Sequence, residues 1–447
     1  MRRREFLILA AAPKTPEIRV LSDDGGWCWF EDERAIVAGD KLIFGTVASG
    51  RKNPARKGNI EVVQYDLKRH RATTFTLHRP ERDQRPKEWM DDHNSPAFLA
   101  RPDGRLLVCY ARHNTSSQIH SRLSSKPLDA AAWEEEKLFV PSPSSRVTYS
   151  NLFLLKKENG GRGRVYDFYR GFNNSFKPSY SFSDDFGETW TAGGVVIDVP
   201  AKVRHRPYVK YCSNGQDTVH LAYTEGHPDV FDNSVYHVFC RDGRLHRSDG
   251  TPIRGLEDGL RDPREGTRIF QGDANNVAWT TDFHVMPQGE LALLYTVQKD
   301  GGGLPPREKG RDHRFRLARW SGGRWEDHEI AYAGSRLYPT QEFYTGLAAL
   351  DPFDPRTVYI STDADPVSGE PLISRADQRR HRELFRGTTL DGKSFRWTAV
   401  TKDSSADQVR PIIPIWPGKR RAVLWLRGVM RAYTDYDFEV AGLVENR

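Results

Sequence analysis

Beyond residue 17, hydrophobic and aromatic positions fall into short runs of five to eight residues, separated by turns rich in Gly, Asp, Asn and Pro. Most runs alternate apolar and polar positions or stay apolar throughout, which is typical of β-strands. The clearest runs are "KLIFGTV" (41–47), "NIEVVQYDL" (59–67), "GRLLVCYAR" (104–112), "TVHLAYTEG" (218–226), "ELALLYTVQ" (290–298), "TVYISTD" (357–363) and "AVLWLRG" (422–428). Helical periodicity is scarce, and only "PLDAAAWEEEKL" (127–138) predicts a main helix. The pattern therefore predicts an all-β chain.

A turn motif recurs between these strands. In "SFSDDFGETW" (181–190), the pattern S-x-D-x-G-x-T-W is formed by Ser183, Asp185, Gly187, Thr189 and Trp190. This is the Asp-box turn of sialidase-type propellers, in which the Asp ties back the turn, the Gly takes a positive φ and the Trp fills the gap between blades. A degenerate copy is "TTLDGKSFRW" (388–397), and "WSGGRW" (320–325) is another strand–turn–strand unit that ends in Trp.

Such turns at intervals along an all-β chain predict a β-propeller. At four antiparallel strands per blade, about 430 residues make roughly seven blades of about 60 residues each. Two β-sandwiches are the alternative architecture. No Pro/Ser-rich linker or change of composition divides the chain. We therefore predict a single propeller domain over residues 18–447.

Composition and charge narrow the class of partner. Of the 447 residues, 37% are hydrophobic and 11% are aromatic, which suits many short strands with aromatic packing. The net charge of +7 favours acidic partners, either nucleic acid or an anionic polysaccharide. The basic residues are scattered and no nucleic-acid fold signature is present, so we predict no nucleic-acid partner. The cysteines lack a C-x-x-C pair and are expected to be buried free thiols, at Cys28, Cys109, Cys212 and Cys240.

The N-terminus resembles an export signal. It reads "MRRREFLILAAAPK", in which Arg3 and Arg4 precede a short apolar run. We interpret residues 1–17 as a twin-arginine-like signal, which predicts a periplasmic or extracellular protein. The alternative is an ordinary charged terminus or a mis-assigned start site. No other segment is long and apolar enough to predict a membrane span.

Several stretches together resemble a known family. They are "GGWCWFEDERAIV" (25–37), "GNIEVVQYDL" (58–67), "DDHNSPAFLARPDGRLLVCYARH" (91–113), "RPYVKYCSNGQDTVHLAYTEGHP" (206–228), "NSVYHVFCRDGRL" (233–245), "YTGLAALDPFDPRTVYISTDADP" (344–366) and "RPIIPIWPGKRRAVLWLRG" (410–428). Across nearly the whole chain they resemble the bacterial-neuraminidase-repeat propellers, and within that group the ulvan lyases and the related rhamnose–glucuronate lyases. The resemblance implies β-elimination on a uronic acid of an anionic polysaccharide or oligosaccharide, with no cofactor required for the chemistry. It also leads us to expect a monomer.

The resemblance implies four catalytic residues. A lyase needs a base for the C5 proton, an acid for the leaving oxygen and a cation or donors on the uronate carboxylate. His93, in the D-H-N segment, is carried over as base or acid, and His113 as a second groove histidine. Tyr149 matches a tyrosine that exchanges protons with the substrate, and Arg170 is placed to hold the carboxylate. For each residue the alternative is a purely structural role.

Two further groups of residues are candidates for binding. Asn94, Arg206 and Tyr208 are expected to contact the substrate, although Asn94 also suits a turn or the orientation of His93. A structural Ca or Zn ion is the second expectation, because the resembled family carries an ion near the ring centre. Asp282 and His284 share one face of a strand, and the predicted ligands are His227, Asp282, His284 and His313.

Three functions compete at this stage. The first is a polysaccharide lyase that cleaves ulvan-like rhamnose–glucuronate linkages. The second is a propeller glycoside hydrolase that releases rhamnose from the rhamnose–glucuronate ends of arabinogalactan. A hydrolase normally needs two carboxylates near the bond, and Asp91 and Asp92 are the only such pair near the histidines. The third is a non-catalytic carbohydrate-binding propeller.

Overall fold

The computed structural model describes residues 17–81, 89–198, 207–305 and 307–447, and the export-like segment lies almost entirely outside them. Seven antiparallel sheets follow one another in a ring, which confirms the predicted seven-bladed propeller. Five of the sheets have four strands, one has five and one has six. No helix in the described part of the chain is long and apolar enough to cross a membrane.

The first three blades use the strands that follow the N-terminal strand. Blade 1 contains β2 (Ala35–Ala38), β3 (Lys41–Val47), β4 (Ile60–Asp66) and β5 (Arg71–His78). Blade 2 contains β6 (Ala97–Ala100), β7 (Leu106–Ala111), β8 (Ile119–Lys126), β9 (Asp129–Trp133) and β10 (Lys137–Phe139). Blade 3 contains β11 (Thr148–Leu155), β12 (Arg164–Arg170), β13 (Pro178–Ser183) and β14 (Thr191–Val195).

The next three blades continue in chain order. Blade 4 contains β15 (Val209–Ser213), β16 (Thr218–Tyr223), β17 (Val235–Arg241), β18 (Arg244–His246), β19 (Pro252–Gly255) and β20 (Thr267–Phe270). Blade 5 contains β21 (Val277–Val285), β22 (Leu291–Gln298), β23 (His313–Ser321) and β24 (Arg324–Gly334). Blade 6 contains β25 (Ala348–Leu350), β26 (Thr357–Thr362), β27 (Glu383–Thr388) and β28 (Arg396–Ala399).

The seventh blade joins the two ends of the chain. It contains β29 (Asp407–Ile412), β30 (Arg420–Ala432), β31 (Asp435–Asn446) and the first strand, β1 (Arg19–Ser22). β1 pairs antiparallel with β31, with Arg19 opposite Gly442 and Val20 opposite Ala441. Because this ladder joins the N- and C-terminal strands in one sheet, hydrogen bonds close the ring without a covalent link.

Helix is confined to single 3-10 turns in the described residues: Pro54–Arg56, Asp92–Asn94, Asn159–Gly161, Phe172–Asn174 and Pro263–Glu265. The predicted helix over 127–138 is wrong, since this stretch forms β9 and β10, both paired with β8. Its Ala/Glu-rich sequence has helical propensity, but that propensity is worth only tenths of a kcal/mol per residue. Pairing with β8 satisfies the backbone, and Trp133 packs against the core shared by blades 1 and 2.

The Asp185 turn joins β13 to β14 through a compact set of hydrogen bonds. Ser183 Oγ donates to Asp185 Oδ1 at 2.7 Å and accepts from the Gly187 amide at 2.7 Å. The Thr189 amide donates to Asp185 Oδ1 at 2.9 Å. Gly187 has a φ of +90°, and a Cβ there would lie 2.7 Å from a Leu107 methyl carbon, so both the turn and the neighbouring blade require glycine.

An apolar segment fills the ring centre. The segment 27–30, with sequence WCWF, is fully or almost fully buried. Hydrogen bonds reach it from four blades: Asn151 Nδ2 to Phe30 O at 2.9 Å, Lys210 Nζ to Trp29 O at 2.6 Å, Trp29 Nε1 to Thr280 O at 3.1 Å and Trp27 Nε1 to Arg410 O at 3.2 Å. The centre is therefore a packed core that supports the face above it. The four cysteines are all buried and free, as expected.

Candidate active site

Two chain segments of blade 2 bring the histidines together. The one-turn helix Asp92–Asn94 directly precedes β6, and His113 lies two residues after the end of β7. Asp91 caps the turn, because its Oδ1 accepts the His93 amide at 3.0 Å. Asn94 Oδ1 accepts the His113 amide at 2.7 Å, which ties the end of β7 to the turn. Hydrogen bonds to their backbone amides thus hold both segments in place, independently of any contact between the two imidazole rings.

One carboxylate orients both imidazoles. Asp91 Oδ1 lies 2.7 Å from His93 Nδ1, and Asp91 Oδ2 lies 2.8 Å from His113 Nδ1. The two rings stack with their centroids 4.2 Å apart and an interplanar angle of 14°. Because a carboxylate only accepts, each Nδ1 carries the proton that it shares with Asp91. The Nε2 atom of each ring is left for other partners.

The pKa values of the two histidines are shifted in opposite directions. Burial lowers the pKa of His93, but the anionic forms of Tyr149 and Cys28 and the carboxylates Asp91 and Asp92 outweigh it, so its pKa lies well above the ordinary value. Burial dominates for His113 and lowers its pKa, against the attraction of Asp91. Burial of Asp91 is offset by the two histidines, which hold its pKa well below the usual range. These directions favour an ionised Asp91, a protonated His93 and a neutral His113.

Arg170 lies beside this pair at the end of β12. Its Nη1 donates to Tyr208 Oη at 2.9 Å, and its Nη2 donates to His113 Nε2 and to Asn114 Oδ1, each at 3.3 Å. The guanidinium carbon lies 4.8 Å from the centroid of the Tyr149 ring. Arg170 is nine-tenths buried, and it makes no ion pair with a carboxylate among the residues described. A buried guanidinium without a counter-charge is suited to an anionic ligand.

Tyr149 is held in an unusual backbone conformation between the histidines and Arg170. Its φ is +65°, which is rare for a bulky residue and indicates that the surrounding structure fixes it. Asn151 Nδ2 donates to the Tyr149 carbonyl at 3.1 Å, at the bulge where β11 shifts register against β12. Burial raises the pKa of Tyr149 well above its ordinary value, although His93 and Arg170 oppose this. The phenol therefore keeps its proton at neutral pH.

These side chains line a groove with a cavity volume of about 380 Å³. The groove brings together six of the residues proposed from the sequence: His93, His113, Tyr149, Arg170, Tyr208 and His227. Sequence reasoning missed several further lining residues, namely Asn114, Phe176, Asp229, Gln341, Tyr344 and Tyr433. Asn114 follows His113 directly and could have been found from that adjacency. Phe176 and Asp229 follow Arg170 and His227 within a few positions, whereas Gln341, Tyr344 and Tyr433 come from distant parts of the chain.

A buried ion pair supports the turn from behind. Asp92 and Arg410 are each 1% exposed, and Arg410 Nη1 lies 2.5 Å from Asp92 Oδ2. Asp92 Oδ1 also lies 2.9 Å from His93 Nδ1. Asp92 is thus a structural partner of the seventh blade as well as a charge next to His93, and it does not line the groove.

The remaining predicted site residues lie elsewhere. Asn94 is buried behind His113 and does not line the groove, while Arg206 lies outside the described residues. Of the predicted metal ligands, Asp282 and His284 form a pair, with Oδ1 and Nε2 3.4 Å apart. His227 lines the groove, where its Nδ1 contacts Asp229, and His313 Nδ1 lies 3.2 Å from the Gly334 carbonyl oxygen.

The predicted metal set is therefore not assembled. No three of those four residues form a cluster with ligand geometry in the described part of the chain. Three other triads do have such geometry: Cys28, Asp92 and His93; Asp91, His93 and His113; and His78, His120 and Glu136. The first two share His93 and belong to the groove and its support. The third lies outside the groove lining.

Comparisons with known proteins agree with this architecture. No curated protein is similar in sequence to the chain. Among solved structures, it is similar to a PL25 ulvan lyase bound to -[GlcA(1-4)Rha3S]-, with 14% identity, a TM-score of 0.64 and 94% of each chain covered. It is also similar to the polysaccharide lyase Uly1, with 12% identity, a TM-score of 0.58 and coverage of 96% of this chain and 97% of that one. At these identities the likeness shows a shared fold.

The sequence match defines the family. Residues 54–333, more than half of the chain, match the family model described as a BNR repeat-containing family member. The match runs from β4 of blade 1 into β24 of blade 5 and includes the Asp185 turn, His93, His113, Tyr149 and Arg170. With the seven-bladed ring and the whole-chain structural likeness, this confirms the resemblance predicted from the sequence: the chain belongs to the BNR repeat-containing family.

Proposed function

We propose that the protein is a polysaccharide lyase that cleaves a uronic-acid-containing anionic glycan by β-elimination. The observation that carries the proposal is Arg170, a buried guanidinium at the groove with no carboxylate partner among the described residues. Its Nε also has no hydrogen-bond partner among them. A uronate carboxylate supplies the missing charge and accepts from the planar donors.

The chemistry requires this neutralisation. The C5 proton of a uronate is weakly acidic while the adjacent carboxylate is charged, because removing it places a second negative charge on the same group. Arg170 balances that charge in a desolvated site, where such stabilisation is strongest. Asn114 and Tyr208 accept from the guanidinium and hold its plane. The imidazolium of His93 adds a second positive charge to the same wall.

The protonation states of the groove residues suggest which one acts as base and which as acid. His113 is neutral, and its Nε2 accepts one long hydrogen bond from Arg170 Nη2, at 3.3 Å. When Arg170 turns to a uronate carboxylate, the Nε2 lone pair is released and is suited to take the C5 proton. Tyr149 retains its phenol proton, so it is suited to give one to the departing O4 oxygen. His93, paired with Asp91, stabilises the negative charge that develops between them. The sugar C5–H and C4–O4 bonds break, a C4–C5 double bond forms, and no cofactor takes part in this scheme.

The carboxylate count favours a lyase over a hydrolase. Among the described residues that line the groove, Asp229 is the one carboxylate, and its Oδ1 contacts His227. Asp91 uses both oxygens for the two histidines and lies behind them. A hydrolase would need a second carboxylate on the groove face. Release of rhamnose from arabinogalactan ends is therefore the second candidate, and carbohydrate binding without catalysis is the third.

The structural relatives support the substrate class. The ulvan lyase that shares this fold binds -[GlcA(1-4)Rha3S]-, a glucuronate-containing and sulfated sugar. The net charge of +7 favours such a polyanion. We therefore propose an ulvan-like rhamnose–glucuronate glycan as substrate, with the chain acting as an exported monomer.

The test is the absorbance of the unsaturated uronate product. Wild type is incubated with ulvan, with carboxyl-reduced ulvan, and with arabinogalactan. We expect the absorbance to rise with ulvan and with neither of the other two substrates. The rate of this rise should be about 10²–10³-fold lower in Arg170→Met, the range found when one preorganised transition-state donor is removed. Arg164→Met is the matched control, because Arg164 lies at the other end of β12 and pairs with Asp184.

Three results would overturn the proposal. An Arg170→Met variant that produces unsaturated uronate from ulvan at the wild-type rate would remove Arg170 from carboxylate recognition. Free rhamnose from arabinogalactan without absorbance would establish the hydrolase. Tight binding of ulvan, measured by calorimetry, without any product would establish the binding module.

A further inference from the structure

A second cluster of metal-binding side chains lies between blades 1 and 2. It consists of His78, the last residue of β5, His120, the second residue of β8, and Glu136, the residue before β10. One ligand atom from each lies within 4.8 Å of the others. None of the three lines the groove. The cluster therefore joins the outer strand of one blade to the next blade and plays no part in the chemistry proposed above.

The spacing of the ligand atoms suits a small tetrahedral cation. His78 Nδ1 lies 3.0 Å from Glu136 Oε1, and His120 Nδ1 lies 3.2 Å from Glu136 Oε2. In a tetrahedral zinc site with bonds near 2.0–2.1 Å, neighbouring ligand atoms lie about 3.3 Å apart. The two imidazole rings are 5.0 Å apart and inclined at 65°, so their edges converge without stacking. The carboxylate lies between them.

His120 gives independent evidence for a ligand. It is 5% exposed, and neither ring nitrogen has a hydrogen-bond partner among the described residues, although Nδ1 lies close to Glu136. Leaving a buried polar atom unpaired costs about 1–3 kcal/mol. A cation bound at Nδ1 would remove this cost for that nitrogen and would also explain its contact with Glu136, which lacks hydrogen-bond geometry.

A further contact fixes the carboxylate. Tyr110 Oη donates to Glu136 Oε1, and the Tyr110 ring stacks on His120 with centroids 5.2 Å apart. Such hydrogen bonds behind a ligand orient it toward a metal. The side chains of His78 and Glu136 are 18% and 21% exposed, which leaves a path for an ion and a fourth position for water.

We propose that His78, His120 and Glu136 form a zinc site that ties β5 of blade 1 to blade 2. Two imidazoles and one carboxylate suit zinc and related transition metals, whereas calcium and magnesium prefer oxygen ligands. Zinc bound here holds together two blades whose other contacts are side-chain packing and a few hydrogen bonds. It stabilises the folded chain because the ligands are separated in the unfolded one.

The experiment measures zinc on the full chain. Purified protein is treated with EDTA, desalted and titrated with Zn²⁺ against a chromophoric chelator, and bound metal is counted by mass spectrometry. We expect one zinc per chain, about 100-fold or more weaker binding in His120→Ala and in Glu136→Gln, and a higher Tm with zinc in wild type alone. Cobalt should give the visible absorption of a tetrahedral site in wild type and lose it in Glu136→Gln.

The matched control is His93→Ala, which breaks both of the other triads at once. It should keep its zinc. Loss of zinc in His93→Ala together with retention in Glu136→Gln would overturn the proposal, as would wild type that binds no zinc at micromolar concentration. Glu136→Gln keeps the size of a partly exposed side chain, so it separates a lost ligand from a failed fold. The measurement does not depend on the groove, and it stands whether or not the lyase activity is found.

Discussion

Replacement of Asp91 by Asn tests how the two histidines are held. Asp91 accepts three hydrogen bonds, from the His93 amide and from Nδ1 of His93 and of His113. An amide keeps one acceptor oxygen and replaces the other with a donor. One imidazole must then lose its partner or change tautomer. For His113 that change places the proton on Nε2, the atom proposed to act as base.

The magnitude follows from these contacts. A hydrogen bond to a charged group is worth about 1.5–3 kcal/mol, so Asp91→Asn should lower the free energy of unfolding by about that amount. A comparable replacement behind a catalytic histidine lowers turnover about 10⁴-fold through the wrong tautomer. We therefore expect kcat on ulvan to fall by about 10²–10⁴-fold. KM should change less than kcat, because Arg170 keeps its hydrogen bonds to Tyr208 and Asn114 and loses only His113 Nε2 as an acceptor.

The pH dependence of stability has a defined sign. The pKa of Asp91 is lowered in the folded protein, so its contribution is present above the unfolded pKa of about 3.9 and is lost as the pH falls toward the folded pKa. The pKa of His93 is raised, so its contribution is complete below about pH 6.5 and is lost as the pH rises through the folded pKa. Asp91→Asn should flatten the dependence of the free energy of unfolding on pH in both of these ranges.

The assay combines kinetics with nitrogen NMR of the imidazoles. The ¹⁵N shifts report which nitrogen carries the proton, and they do not depend on any substrate. The control is Asp103→Asn, in the turn between β6 and β7 of the same hairpin, where the exposed side chain accepts the Arg105 amide and pairs with Arg101, away from both histidines. If Asp91→Asn keeps both Nδ1 protons, and its kcat stays within about threefold of wild type, the assignment of Asp91 as the orienting group is refuted.

Two further predictions concern buried charge. Arg410→Met leaves Asp92 buried without its guanidinium partner, so the urea midpoint should fall by the equivalent of about 3–5 kcal/mol. Adding Asp92→Asn should restore much of this loss, and equal loss in both variants would contradict the pairing. Burial raises the pKa of Asp167 to about 8, although Ser150 and the Asn151 amide donate hydrogen bonds to its carboxyl group. The stability that comes from the retained proton is therefore complete below about pH 3.9 and is lost as the pH rises to about 8. Asp167→Asn should therefore resist urea better than wild type at pH 8 and show little difference at pH 4, and the reverse order would show that the carboxyl is ionised.

Local pattern was sufficient to predict the strands and the propeller. In a hairpin such as β3–β4, each short strand either alternates apolar and polar residues or is apolar throughout. The turns carry Gly and Asp where the backbone needs them. The pairing that results is between chain neighbours in almost every sheet. The one wrong element, 127–138, shows the limit of this reasoning. Its helix-forming composition was outweighed by a ladder with β8, which no local window contains.

The sequence by itself determined the blade pattern, the Asp185 turn and the residue types needed for chemistry. It could place His93 and His113 at corresponding strand ends, because β6 and β7 are neighbours in one blade. Only the tertiary structure decided that one carboxylate orients both rings, that Arg170 lacks a counter-charge, and that the predicted metal ligands lie apart while His78, His120 and Glu136 converge. Ring closure brings blades together across hundreds of residues, and the resulting distances depend on packing at every blade interface. No local spacing encodes those distances.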